Sequence, residues 1–255
     1  VTAAADPEGL KGKVVLVTGS ACGLGAALIR AAALRRARVV INCRNNQRRA
    51  DALGQEIQKH GGEALVCRAD VTDYDQARGL VEETVKAFGR VDVLVNAVGV
   101  FAWKPVADTG PDEWRALMAS NLDSVYQMSR LVLPSMRKNH WGRIVSLGAV
   151  GAERSEGQPK VAAYSAAKAA VVAFSKALAL EEARSGITVN VVSPGVLADG
   201  DDGSAGVETA YAEDRIPVGR SGGPDDLVRS VFFFCSPAAD FLTGQVLAVA
   251  GGWRL

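Results

Sequence analysis

Histidine is nearly absent from this chain, cysteine is sparse, and positive and negative charges balance. The only histidines are His60 and His140, and neither has a ligand or nucleophile partner nearby in sequence. Histidine-based metal sites and Ser-His or Cys-His nucleophiles are therefore poorly supplied, and no metal is expected. The four cysteines, Cys22, Cys43, Cys67 and Cys235, are widely spaced with no CxxC pair. That spacing argues against a disulfide framework or a zinc ribbon and suits a reducing, cytoplasmic setting. A formal net charge of +1 gives no bulk attraction to nucleic acid or an anionic membrane. No apolar run approaches the roughly 18 residues a membrane span needs. Residues 1–8 lack a basic start followed by an apolar core, so no secretory signal is expected. Residues 1–9 read as a flexible tail.

What is present is core material: 48% of the 255 residues are hydrophobic and 22% charged, ordinary for a globular protein. Short continuous apolar runs mark strands buried on both faces. They are Val14-Val15-Leu16-Val17-Thr18, Val39-Val40-Ile41-Asn42, Ala64-Leu65-Val66-Cys67, Val91-Asp92-Val93-Leu94-Val95, Ile144-Val145-Ser146-Leu147, Thr188-Val189-Asn190-Val191-Val192 and Val246-Leu247-Ala248-Val249. Helical patterns separate them, including a long one over 112–139, expected to bend or break near Pro134, and another over 161–184. Strand–helix alternation at this rhythm predicts an α/β fold: a doubly wound, seven-stranded parallel sheet flanked by helices, Rossmann-like. Residues 10–255 read as one domain. Little periodicity is visible over 195–223, and a loop of that length suggests a mobile substrate lid at about 196–220.

Two patterns carry chemistry. Thr18-Gly19-Ser20-Ala21-Cys22-Gly23-Leu24-Gly25 follows the first strand and opens a helix. Glycines there permit a tight turn and let a pyrophosphate approach backbone N–H groups at a helix start. Far downstream, Tyr164 and Lys168 sit at i and i+4 in an alanine-rich helix, on one face and one turn apart. A free tyrosine has a pKa near about 10, and a neighbouring cation favours its phenolate, bringing proton exchange towards neutral pH. Read alone, such a pair is more often a lysine covering apolar surface. After the second strand comes Asn42-Cys43-Arg44, then Arg48 and Arg49, without an acid. A carboxylate there would suit the ribose hydroxyl of NAD; arginine suits a 2′-phosphate. NADP(H) is therefore favoured over NAD(H), although Arg48 and Arg49 also fit a solvated helix face.

The TGxxxGxG spacing followed by YxxxK resembles the short-chain dehydrogenase/reductase family over nearly the whole chain. Other short matches fall in order: Asp70-Val71 after the third strand resembles the adenine contact. Asn96-Ala97-Val98-Gly99 resembles the NNAG motif, with Ala97 and Val98 as departures. Asn121 matches the structural Asn that anchors a water leading to the lysine, and Pro194-Gly195 the turn beside the nicotinamide. The resemblance implies cofactor contacts at Gly19, Ser20, Cys22, Gly23, Leu24, Gly25, Arg44, Asp70, Val71, Asn96, Ala97, Gly99, Pro194 and Gly195, with Tyr164 and Lys168. It also implies catalysis by Tyr164, Lys168 and Asn121, and a homodimer or homotetramer formed through the long helices. Substrate contacts fall to Tyr164, Trp103 in the 100–104 stretch, and Ala149. One position departs: Ala149 stands where the family places the serine that binds the substrate oxygen. Losing one such donor costs on the order of 2.7–4 kcal/mol in barrier. Ser146 points to the other sheet face, Ser155 reads as a turn residue, and Ser165 faces elsewhere on the helix.

Three readings follow. The first is an NADP(H)-dependent reductase of carbonyls, including 3-oxoacyl thioesters, nearest in pattern to the 3-oxoacyl-acyl-carrier-protein reductases. The second is an impaired NADP(H)-binding sensor or partner subunit. The third is reduction of a polarised C=C or C=N bond, where the serine matters less.

Overall fold

The computed structural model describes residues 9–197 and 215–254. The expected tail and most of the expected lid, including its 198–214 portion, lie outside the described residues.

Seven parallel strands form one sheet in the order β3-β2-β1-β4-β5-β6-β7. They are β1 Val14–Val17, β2 Arg38–Cys43, β3 Glu63–Arg68, β4 Val93–Asn96, β5 Gly142–Leu147, β6 Ile187–Pro194 and β7 Val246–Val249. The β1 side chains explain the architecture. Val14 and Leu16 are fully buried on one face with Leu94, Met128 and Ile144, while Val15 and Val17 are buried on the other with Ile29, Val95 and Phe232. A strand covered on both sides needs no polar alternation, which is why it reads as an unbroken apolar run.

Helices α1 (Gly23–Leu34), α2 (Gln47–Lys59) and α3 (Tyr74–Phe88) connect the first four strands. Asp73 caps α3 by accepting from the Gln76 N–H at 2.9 Å, and Gly89 ends it at φ 81°. Chain order reverses between β1 and β4, so a crevice opens there beyond the strand C-termini. Cys43, Cys67 and Cys235 are buried and Cys22 partly so.

The long helical region departs from expectation. It comprises α4 (Pro111–Met118), a π-helical turn over Ala119–Asp123 and α5 (Ser124–Lys138). The irregularity therefore lies at Asn121, not at Pro134, which α5 passes through near its C-terminus. The reason is a side-chain competitor: Asn121 Nδ2 donates to Leu117 O at 3.0 Å, the carbonyl an α-helix would give to the Asn121 N–H.

Helix α6 (Ala162–Glu182) packs against β6, and α7 (Pro224–Cys235) covers the opposite face. With its 3₁₀ extension, Ala162–Ser185 reaches a mean hydropathy of 1.2, apolar enough and long enough to cross a membrane. Alanines together with Val171, Val172, Phe174, Leu178 and Leu180 supply that value, so the expectation that no segment approaches a span needs correcting on composition. The helix nonetheless buries both Lys168 and Glu182 against the sheet layer.

Candidate active site

The turn after β1 is held by its own side chains. Gly19 N–H donates to Asn42 Oδ1 at 3.0 Å and Ser20 N–H to Asn42 O at 2.8 Å. Ser20 Oγ donates to Val17 O at 2.8 Å and accepts from Asn42 N–H. Ser20 is thus fully buried and occupied, and it stands outside the cavity wall. Ser20 thus braces the turn expected to meet the cofactor.

Gly19, Cys22, Gly23, Leu24 and Gly25 do line the cavity, whose volume is about 550 Å³. A Cβ on Gly25 would lie 2.7 Å from Gly19 O and 2.8 Å from Ser20 Cα, so only glycine permits this close return. The Cys22 N-cap makes no side-chain bond and no acid sits in the first turn of α1. That helix start suits an anionic pyrophosphate, so the residues present fit a dinucleotide.

At one end the wall includes Arg44, Asp70, Val71 and Thr72. Burial alone would raise the Asp70 carboxyl, yet two bonds from Thr72 and the Arg44 guanidinium at 3.4 Å hold it below the usual carboxylate range. Arg48 and Arg49 are exposed and lie off the wall. Ala97 and Gly99 continue it, but Asn96 does not. Asn96 is buried, and its Nδ2 donates to Ser146 Oγ at 3.2 Å and Ser129 Oγ at 3.4 Å, tying β4 to β5 and α5.

At the other end Tyr164 lines the cavity with Ala149, Trp103, Pro194 and Gly195. Lys168 is buried one turn behind it. Its Nζ donates to Leu147 O at 2.7 Å and stands 5.6 Å from the Tyr164 ring centroid. Burial pushes its pKa down to about 8. Asn121 is also buried behind the wall, its Nδ2 donating to Val100 O at 2.9 Å. A Cβ on Gly99 would lie 2.6 Å from Asn121 Oδ1 and 3.4 Å from Lys168 Nζ, so glycine lets these groups converge. Tyr164, Lys168 and Asn121 thus gather at one end of the groove and the glycine-rich turn lies at the other.

The family model described as enoyl-(acyl carrier protein) reductase matches residues 19–254. The 3-oxoacyl-[acyl-carrier-protein] reductase of Haemophilus influenzae is 37% identical over 252 residues, covering 96% of this chain and all of the relative. Its Escherichia coli counterpart is 36% identical over 249 residues, covering 95% and 97%. A gluconate 5-dehydrogenase from Burkholderia cenocepacia, solved with NADP and tartrate, superposes with a TM-score of 0.90 at 33% identity, 97% of each chain being covered. This chain belongs to the short-chain dehydrogenase/reductase family.

As a short-chain dehydrogenase/reductase, the chain has no hydroxyl at Ala149; of the nearby serines, Ser146 and Ser155 do not reach the wall. Ser146 is fully buried and bonded to Asn96. Ser155 is exposed in the left-handed region at φ 54° and lies off the cavity wall. Ser165 reaches the wall beside Tyr164, whereas its position in sequence predicted another direction.

Several wall residues have little sequence signal. Phe101 packs edge-on against Tyr164 with centroids 5.1 Å apart, and lies 6.4 Å from Trp103. Gln158 and Arg254 meet across 96 positions, with Arg254 Nη1 donating to Gln158 Oε1 at 2.8 Å. Only the fold brings those two together.

Proposed function

We propose that this short-chain dehydrogenase/reductase is an NADP(H)-dependent oxidoreductase interconverting a carbonyl and an alcohol, with Tyr164 as acid and base. The observation that carries the proposal is Tyr164 on the cavity wall with Lys168 Nζ buried behind it, 5.6 Å from the ring. A bound nicotinamide supplies or takes the hydride. The Tyr164 hydroxyl gives its proton to the substrate oxygen in reduction and recovers it in oxidation. Below about pH 8 Lys168 carries a proton, and that charge lowers the cost of the phenolate. The Leu147 carbonyl fixes the ammonium, and the Phe101 edge limits the ring's orientation. Asn121 holds the π turn open and anchors the route by which the lysine regains a proton.

NADP(H) is preferred on this reading because the end of β2 offers Asn42, Cys43 and Arg44 but no acid. The Asn42 side chain is committed to Gly19 and Ala69, and Arg44 reaches the wall. Its contact with Asp70 is long and half-exposed, so a 2′-phosphate can outcompete it. The solved relative that carries NADP supports the same choice. Relatives named 3-oxoacyl-[acyl-carrier-protein] reductase support a 3-oxoacyl thioester as substrate. We also infer a cytoplasmic protein, supported by its four free thiols. A homodimer or homotetramer is supported by the partly exposed pair Tyr126 and Phe174 on α5 and α6, 6.1 Å apart.

Ala149 on the wall favours a second reading, an impaired sensor that binds NADP(H) and turns over poorly. The enoyl reductase description of the family model keeps C=C reduction as a third. A panel of ketones, 3-oxoacyl thioesters and enoyl thioesters, followed by NADPH absorbance, separates them. Oxidation of NADPH by the first two substrates is expected; oxidation only by enoyl thioesters, or by none, overturns the first reading.

A further inference from the structure

We propose that Phe101 sets the substrate class of this site: the substrate carries a flat aromatic ring close to its carbonyl carbon, and that ring packs on Phe101 beside Tyr164. The proposal rests on the carbonyl reductase reading above and narrows the carbonyl compounds it covers.

Direct contact places Phe101 at the reacting group. Its ring centroid lies 5.1 Å from that of Tyr164, with the two planes at 77°, an edge-to-face pair. At such a separation aromatic rings attract one another beyond simple burial. Even so, 38% of Phe101 remains exposed, and the residue forms part of the cavity wall. Single exposed aromatics occur on any protein surface, and Phe241, 98% exposed, is one of them. Phe101 differs because it is held against Tyr164.

The segment that carries the ring is pinned on both sides, although residues 97–105 form neither helix nor strand. Val100 O accepts from Asn121 Nδ2 at 2.9 Å, tying the residue before Phe101 to the π turn. Beyond the ring, the Lys104 N–H donates to the Lys160 carbonyl. The Lys104 Nζ also pairs with Glu113 Oε2 at 2.6 Å. A ligand that meets a surface already fixed does not have to order a loop on binding. Trp103, with its ring centroid 6.4 Å from that of Phe101, continues the aromatic surface.

What this surface selects follows from its chemistry. The Phe101 side chain neither donates nor accepts a hydrogen bond, so it reads only shape and electron distribution. An alkyl chain lying on it gains burial, as it would on a leucine. An aromatic ring gains burial and ring–ring attraction together, because the electron-rich face of one ring favours the electropositive edge of another. The Phe101–Tyr164 pair already has that geometry, and a substrate ring extends the pair by one member. With its ring on Phe101, the substrate presents its carbonyl to the adjacent Tyr164.

The test compares phenylacetone with cyclohexylacetone. Both have the same carbon skeleton, and neither conjugates its ring with the carbonyl, so they differ in the character of the ring. Wild type, Phe101→Leu and Phe101→Tyr are assayed for kcat and KM on each ketone by NADPH absorbance, and the ratio of the kcat/KM values is read. A disturbed Tyr164 slows both ketones alike and cancels in that ratio. We expect the wild type to favour phenylacetone about three- to tenfold. Phe101→Leu should bring the ratio to about one, chiefly through a higher KM for phenylacetone, and Phe101→Tyr should keep it.

A wild-type ratio near unity overturns the proposal, as does a wild type that fails to reduce phenylacetone. A ratio unmoved in Phe101→Leu, or lost equally in Phe101→Tyr, overturns it too. Failure of the parent reading has its own signature: Tyr164→Phe would retain turnover. If Tyr164→Phe is inactive on every ketone and Phe101→Leu leaves the ratio unchanged, the reductase reading stands and the role of Phe101 falls.

Discussion

The two ends of the cavity are built from different materials. At the dinucleotide end the wall is largely backbone: Gly19, Gly23 and Gly25 bring the chain close, and the helix α1 start faces the groove. The nearby side chains of Ser20, Asn42 and Asn96 brace the framework. At the other end side chains from separate elements come together: Tyr164 and Lys168 from α6, Asn121 from the π turn, and Gln158 with Arg254 from positions 96 apart. Backbone recognition needs a particular local conformation, which a short motif can encode. Side-chain chemistry needs convergence of distant residues. The first end should therefore be sensitive to added bulk, and the second to lost functional groups.

The sharpest break of that contrast is Tyr164→Phe, which keeps the ring but removes the proton. Turnover on any accepted ketone should fall about 10³-fold with NADPH binding intact. Stopped-flow absorbance together with NADPH fluorescence reads both quantities, and unchanged turnover would remove Tyr164 from the mechanism.

Bulk at the other end acts in the opposite way. Gly25→Val drives a side chain into Gly19 O and Ser20 Cα. It should weaken NADPH binding at least about tenfold, or about 1.4 kcal/mol, in a folded protein. Calorimetry showing wild-type affinity would contradict a backbone-built site.

Lys168 gives a pH signature. The unfolded chain holds the lysine proton up to about pH 10.4, whereas burial lets the native state hold it only to about 8. Between those values the unfolded state binds more protons, so native stability rises with pH. Denaturant titrations from pH 8 to 10 should show the wild type gaining on Lys168→Met by up to about 1.4 kcal/mol per pH unit. Parallel curves would mean that Lys168 titrates at an ordinary value.

Smaller effects test selectivity. Arg44→Gln should lower the preference for NADPH over NADH severalfold while leaving kcat with NADPH nearly unchanged, as measured from initial rates with both cofactors. Ala149→Ser alone should change kcat less than about threefold, because the proposed function does not depend on a hydroxyl at that position. A rise near 10²-fold would identify the natural site as impaired.

Much of this was legible in the sequence where the controlling interactions are local. Buried parallel strands appear as unbroken apolar runs, and β7 occupies the expected Val246–Val249. Expected strand limits differ from those observed by at most two residues: β2, β3, β5 and β6 run beyond their apolar cores, whereas β1 ends one residue earlier and β4 begins two residues later. The turn at 18–25 and the Tyr164–Lys168 spacing were also visible, since one loop and one helical turn define them. The bracing by Ser20 and Asn96 was not legible, because a polar residue in a motif looks the same in sequence whether it binds a ligand or braces the backbone. Pro134 misled because proline is an obvious breaker, while the side-chain competition that makes Asn121 the irregular point depends on its own rotamer.

The sequence by itself determined the layered sheet, the glycine-rich turn and the Tyr164–Lys168 pair, because each arises from periodicity or from residues a few positions apart. Only the tertiary structure decided the strand order, the burial that lowers the Lys168 pKa and the meeting of Arg254 with Gln158. Those depend on what lies across space, on desolvation by neighbouring elements and on contacts almost a hundred residues apart. No local pattern in the chain encodes them.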